Sequence, residues 1–132
     1  MRPRFIPACV LAVAGYLSIS CGGTTSPSDN VQEPFSGTLA VGGIARHPVN
    51  VNNTGEFSVK ITALSPTVTA FVGTVWAQGG NCEIALQQNQ FSTLNSPALV
   101  GAILQKGQYC VAIYDVGVLT VAQNYTIVVS HP

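Results

Sequence analysis

Few side chains in this 132-residue chain could do chemistry: two histidines, five carboxylates, five basic residues, four cysteines and one tryptophan. Nucleophilic or general acid–base catalysis needs a titratable group beside a nucleophile, with a third group to orient it. His47 stands next to Pro48 in an early segment and His131 is the penultimate residue. No serine lies in the strained Gly-x-Ser-x-Gly turn that exposes a nucleophile. Both histidines are therefore expected on the surface, and no catalytic residue and no enzyme activity is expected. Two histidines with scattered carboxylates give no zinc-ligand spacing, so neither a metal nor a cofactor is expected. Asp115, in Tyr114-Asp115-Val116-Gly117, has a structural reading as an Asx-turn carboxylate that accepts backbone N–H groups two residues on, beside a reading in which it faces a ligand. Trp76, followed by Gln78-Gly79-Gly80-Asn81, is the candidate ligand-binding residue. Its rigid apolar face could stack on a sugar or a peptide proline, or it fills the core.

These residues must be positioned by something small. Removing a targeting segment leaves about 100 residues, one domain with one hydrophobic core. Arg2 and Arg4 precede a largely apolar stretch from Phe5 to Ile19 that Pro7 and Gly15 interrupt. A basic n-region with a short apolar h-region reads as a secretion signal over residues 1–20, and it is marginal as a membrane span. Beyond it remain Arg46, Lys60 and Lys106 against Asp29, Glu33, Glu56, Glu83 and Asp115, a net charge of about −2. A groove that tracks phosphates needs the opposite sign, so nucleic acid is excluded as a partner.

Ser18-Ile19-Ser20-Cys21 followed by Gly22-Gly23-Thr24-Thr25-Ser26 resembles the lipobox of bacterial lipoproteins. The resemblance implies that Cys21 receives a diacylglycerol and becomes the mature N-terminus, so that membrane lipid is a partner through the acylated cysteine. The sequence departs from the family where leucine is preferred: Ser18 stands there, with Leu17 one position earlier. Cleavage by an ordinary signal peptidase, giving a plain secreted protein, is the other reading. Two acyl chains, at about 0.8 kcal/mol per buried CH₂, make a stable anchor. Residues 21–34 are then the lipidated cysteine and a Gly/Ser/Thr/Pro-rich flexible linker, and the folded domain is expected at 35–132. With Cys9 removed and Cys21 acylated, Cys82 and Cys110 are left as a pair in an oxidising compartment. A disulfide is expected, against the alternative of two separate buried thiols.

From Phe35 onward apolar residues recur with period two, as in Phe57, Val59 and Ile61, and the breaks carry turn chemistry. Asn52-Asn53-Thr54-Gly55 between HPVNV and GEFSVKITAL reads as a hairpin turn. Further strands fall within TVTAFVGTVWA, CEIALQQ, PALVGAIL, GQYCVAIYD and NYTIVVS. Seven or eight short strands without a convincing helix predict an all-β fold, a single antiparallel β-sandwich of jelly-roll type. Tyr109, Val111 and Ile113 are expected to face the core with Phe57, Val59, Ile61, Tyr125, Ile127 and Val129. Cys110, Ala112 and Tyr114 then point outward.

SGTL, HPVNV, GEFSVKITAL, KGQYCVAIYDVG and NYTIVVSHP, in that order, resemble the bacterial pre-peptidase C-terminal domain family over about residues 36–131. The matching features are Gly107, Tyr109, Val111, Ile113, Asp115, Gly117 and Tyr125. The resemblance implies a non-catalytic sandwich that accompanies secreted proteases, some relatives of which bind collagen or polysaccharide. No protease domain precedes it in this sequence. Relatives that hold calcium use clustered carboxylates, whereas Asp29 and Glu33 stand nearly alone here, so no calcium site is expected. The function expected is a binding or interaction module of the bacterial envelope, periplasmic or at the cell surface, for a polysaccharide, a matrix protein or an envelope partner. The alternatives are a structural lipoprotein without a discrete ligand and an accessory domain of a secreted protease system.

Overall fold

The computed structural model describes residues 29–66 and 71–132. The signal segment, Cys21 and the linker as far as Ser28 lie outside the described residues, as do residues 67–70 of the TVTAFVGTVWA stretch. Among the described residues there are eight strands, β1 Val31–Leu39, β2 Ile44–Val51, β3 Gly55–Ser65, β4 Val72–Gln78, β5 Ile84–Ser92, β6 Pro97–Ile103, β7 Gly107–Tyr114 and β8 Gln123–His131. They form two four-stranded sheets, β1-β8-β3-β6 and β2-β7-β4-β5, and every pairing within them is antiparallel. The all-β sandwich expected from the sequence is the fold.

Period two decides which side chains enter the space between the sheets. In β8 the core-facing residues are Tyr125, Ile127 and Val129, and in β3 they are Phe57, Val59 and Ile61. β7 adds Tyr109, Val111 and Ile113 from the opposite sheet, and all nine belong to one buried cluster. The expected register of β7 is therefore the register found. Each large aliphatic side chain taken fully out of water contributes about 1.5 to 3 kcal/mol, which is why a one-residue slip exchanging the two faces is disfavoured.

Two expectations need correction. The turn Asn52–Thr54 does not close a hairpin, because β2 pairs with β7 while β3 pairs with β6 and β8. Chain direction reverses between the sheets, so the buried Val49 and Val51 enter the core from the sheet opposite that of Phe57 and Val59 rather than lying beside them in one sheet. Turn residues permit either outcome, and burial of both apolar faces selects the crossing. Order also begins before Phe35: Val31–Pro34 pair with Val128–His131, so main-chain hydrogen bonds hold a stretch whose side chains bury little. The outward residues of β7 lie on the outer face of their sheet as expected, and they are covered there. Cys110 and Ala112 are 0% and 1% exposed, and the Tyr114 ring lies over Gly73, where a Cβ would collide with it.

Cys110 is covered by its disulfide to Cys82, with Cα atoms 5.0 Å apart. Cys82 sits in the β4–β5 turn, which is closed by Cys82 N–H donating to the Gly79 carbonyl (3.2 Å) and Gly79 N–H donating to the Gln108 carbonyl (2.9 Å). The crosslink thus folds a polar turn over the outer face of β7. Its sequence separation is 28 residues, for which the chain-entropy relation gives about 3 to 4 kcal/mol. Small domains are stable by only about 5 to 15 kcal/mol in total. The double variant Cys82→Ala/Cys110→Ala is expected to lower the unfolding free energy in urea by about 3 kcal/mol. An unchanged urea midpoint would contradict this role.

Candidate functional site

The sandwich has two open sides, where the edge strand of one sheet faces the edge strand of the other. On one side stand β1 and β2, and on the other β5 and β6. The β5–β6 side is partly closed by side-chain amides. Gln87 Nε2 donates to the Val100 carbonyl at 3.1 Å, and Asn89 Nδ2 donates to the Ala98 carbonyl at 2.8 Å. Both side chains point inward because their β4 partners, Trp76 and Thr74, are core residues. Behind them the buried hydroxyls of Thr74 and Ser92 satisfy each other at 2.7 Å.

Beyond Val100 the two edges part and leave a cleft of about 660 Å³. Phe57, Trp76 and Tyr109 line its depth, with ring centroids 4.5 Å apart for Phe57 and Trp76 and 5.1 Å for Trp76 and Tyr109. Gly101 is needed at this point, since a Cβ there would lie 2.7 Å from the Phe57 ring. The walls carry Leu86, Val100 and Leu104, and the polar groups are the amides of Gln78, Gln87 and Gln105. Leu86 is the residue where the β4–β5 register shifts, and such a bulge re-aims a side chain. The Tyr109 hydroxyl donates to the Gln105 carbonyl at 2.6 Å and pins the β6–β7 loop at the mouth. None of the lining residues is charged.

The candidate residue Trp76 is only 2% exposed and belongs to the core, so the reading in which it offers a free face to a sugar or proline is corrected. At the cleft the exposed apolar groups are aliphatic instead, Leu86 (53%), Val100 (57%) and Leu104 (83%) on its walls with Ile84 (59%) next along β5, while the exposed ring of Phe91 lies farther along β5, outside the cleft lining. Clustered exposed aliphatics beside a concave surface mark an interaction site more often than scattered ones do. Sequence reasoning missed this cleft. Its signal was the apolar run in PALVGAIL, which fills both faces of one strand although only one can reach the core.

The histidines are not surface residues. His131 is 3% exposed, with Nε2 3.3 Å from Glu33 Oε1. His47 is half-buried on the β1–β2 side, stacked on Phe35 at 4.9 Å, with Nε2 2.7 Å from the Tyr125 hydroxyl of the other sheet. Burial lowers the His47 pKa and raises that of Tyr125, so the neutral forms are favoured in the fold. Asp115 has the expected turn role and extends it. Oδ1 accepts N–H groups of Gly117, Val118 and Leu119 at 2.8, 2.9 and 3.1 Å, and Oδ2 accepts that of Gly42 at 2.8 Å. One carboxylate therefore ties the β1–β2 turn to the β7–β8 loop. Its pKa is held below the ordinary carboxylate range, chiefly by the Gly42 N–H. Among the described residues no three His, Cys, Asp or Glu side chains gather as metal ligands.

No protein-family model and no curated protein matches the chain. Among solved structures it is similar to the crystal structure of Aeromonas hydrophila PliG, a periplasmic lysozyme inhibitor of g-type lysozyme. The TM-score is 0.54 and the identity 14%, over 82% of this chain and 92% of that one. The likeness shows a shared fold.

Two outcomes follow from the titratable groups. Asp115→Ala removes the acceptor of four N–H groups, and by analogy with lost helix caps is expected to cost about 1 to 2 kcal/mol of stability at neutral pH. Because the folded pKa of Asp115 is depressed, its contribution is full above the ordinary carboxylate range and disappears as pH falls through the folded value. His47 acts at higher pH: its folded pKa lies below 6.5, so the unfolded chain takes up the proton first and stability declines as pH drops below 6.5. Urea midpoints between pH 7.5 and about pH 2.5 check both. His47→Gln should flatten the upper part of that slope and Asp115→Asn the lower part.

Proposed function

We propose that this chain is a non-catalytic protein-binding module of the bacterial envelope, tethered through an acylated Cys21, that receives its partner at the β5–β6 cleft. The observation that carries the reading is the cleft itself, lined without charge and rimmed by exposed Leu86, Val100 and Leu104. A polysaccharide site would present aromatic faces, but Phe57, Trp76 and Tyr109 are each under 10% exposed. Aliphatic walls with a few amides suit an uncharged protein surface, whose apolar side chains gain about 25 cal/mol for each Å² removed from water. The disulfide fits an oxidising compartment. The fold neighbour, described as a periplasmic inhibitor of g-type lysozyme, supports the use of this architecture for holding another protein outside the cytoplasm. The resemblance to pre-peptidase C-terminal domains supports the same non-catalytic class. The lipobox-like segment supports a lipid anchor, with a linker that lets the domain stand off the membrane.

The binding reading is tested with a photoreactive benzophenone residue placed at Val100 or, as control, at Ser36 on β1, in the chain produced in a bacterial envelope. A discrete protein adduct is expected from position 100 and not from position 36, and equal labelling at both would remove the cleft from consideration. The anchor is tested separately. Cys21→Ala should move the protein from the membrane to the soluble fraction, and the intact mass of the wild type should carry a diacylglycerol. An unmodified N-terminus at another residue would overturn lipidation while leaving secretion and binding intact.

A further inference from the structure

We infer that the partner enters the cleft as an extended, uncharged strand that adds to the free edge of β6, in register with Ala102. This inference rests on the binding reading above and names the recognition mode. In an antiparallel pair alternate residues turn both main-chain groups toward the neighbour, and the residues between turn theirs away. Ala98 and Val100 use their carbonyls on the side away from β3, as the bonds from Asn89 and Gln87 show. Ala102 is next in that alternation, so its N–H and carbonyl face the same free side, where the cleft opens. The side-chain amides of Asn89 and Gln87 occupy the places that strand N–H groups would take at Ala98 and Val100. Gln87 is exposed and its amide can swing aside as an incoming N–H replaces it.

The other edges are guarded against strand addition. β1 carries Glu33 and Pro34, β2 carries Arg46 and Pro48, and β5 has two register shifts that break its ladder. Charges, prolines and bulges are the usual devices that keep an edge from pairing with another chain. β6 from Leu99 onward has none of them: beyond the shift at Ala98 it reads Leu-Val-Gly-Ala-Ile, and its ladder runs evenly from Val59 to Gly55. Strand addition takes affinity from main-chain hydrogen bonds and specificity from pockets for alternate side chains. Here the pocket is the space over Phe57, Trp76 and Tyr109, which accepts an apolar side chain, and the uncharged walls reject a charged one.

Random twelve-residue peptides displayed on phage, selected against the purified full chain, test this mode. Enriched peptides should be uncharged, with large apolar residues two positions apart. Their binding should fall at least tenfold in Ala102→Pro, which removes an outward N–H without touching the β3 ladder, and in Leu86→Lys, which alters an exposed wall residue. Gln87→Ala/Asn89→Ala, by removing the competing amides, should tighten binding about fivefold to tenfold. Circular dichroism and the urea midpoint establish that each variant is folded. No enrichment, enrichment of charged or helically spaced motifs, or indifference to both Ala102→Pro and Leu86→Lys would overturn strand addition. Dimerisation of the chain in sedimentation, abolished by Ala102→Pro, would overturn it in favour of a second copy. If the adduct at position 100 survives while the selection fails, protein binding stands and only the strand mode falls.

Discussion

The contact on which the arrangement depends is the aromatic stack between the two sheets. Phe57 comes from β3 in one sheet, and Trp76 and Tyr109 from β4 and β7 in the other, so their packing sets how the sheets approach one another at the β5–β6 side. Large rings each bury well over 100 Å² and prefer offset stacking, so three of them make a stiff spacer. The spacer has consequences around it. Gly101 has no side chain because Phe57 occupies that space, and the edges of β5 and β6 cannot close over the rings. A cleft is what remains when thick aromatic packing stands beside two edges drawn together farther along by Gln87 and Asn89.

Away from the stack, the fold is completed by polar devices at its periphery. The Cys82–Cys110 crosslink folds the β4–β5 turn over β7, and Asp115 joins two loops at the opposite end. On the β1–β2 side the pairing of His47 with Tyr125 crosses between sheets. None of these supplies the main driving force, which is burial of alternating apolar faces. They fix loops and seams where burial runs out, and a chain with only 8% charged residues has few salt bridges to use instead. That scarcity of charge is also why a neutral cleft arises at all, since ordinary edge strands carry lysine or glutamate.

A sandwich offers rigid loops at its ends and open strands at its sides, and either can face a partner without any catalytic group. In this chain the loops around Asp115 are tied down by backbone hydrogen bonds, whereas the β6 edge keeps main-chain groups beside an apolar depression. The side rather than the end has the features of a recognition surface.

Much of this was legible in the residues. Alternation determined which of Tyr109, Val111, Ile113, Phe57, Val59 and Ile61 face inward, because side-chain direction in a strand follows from local geometry alone. The turn role of Asp115 was equally local, since its carboxylate reaches N–H groups two to four residues on. The Cys82–Cys110 pairing followed from compartment and count rather than from geometry. What lay beyond the sequence was which strands pair and which faces meet. Asn52–Thr54 could join strands within a sheet or between sheets, Val31–Pro34 gained order only from β8, and Trp76 could stand outside or beneath Phe57. The cleft belongs to this second class, since it is made by strands distant in sequence that approach at one place and part at another. Local periodicity sets the face a residue presents, and only the packing of the whole chain decides what that face meets.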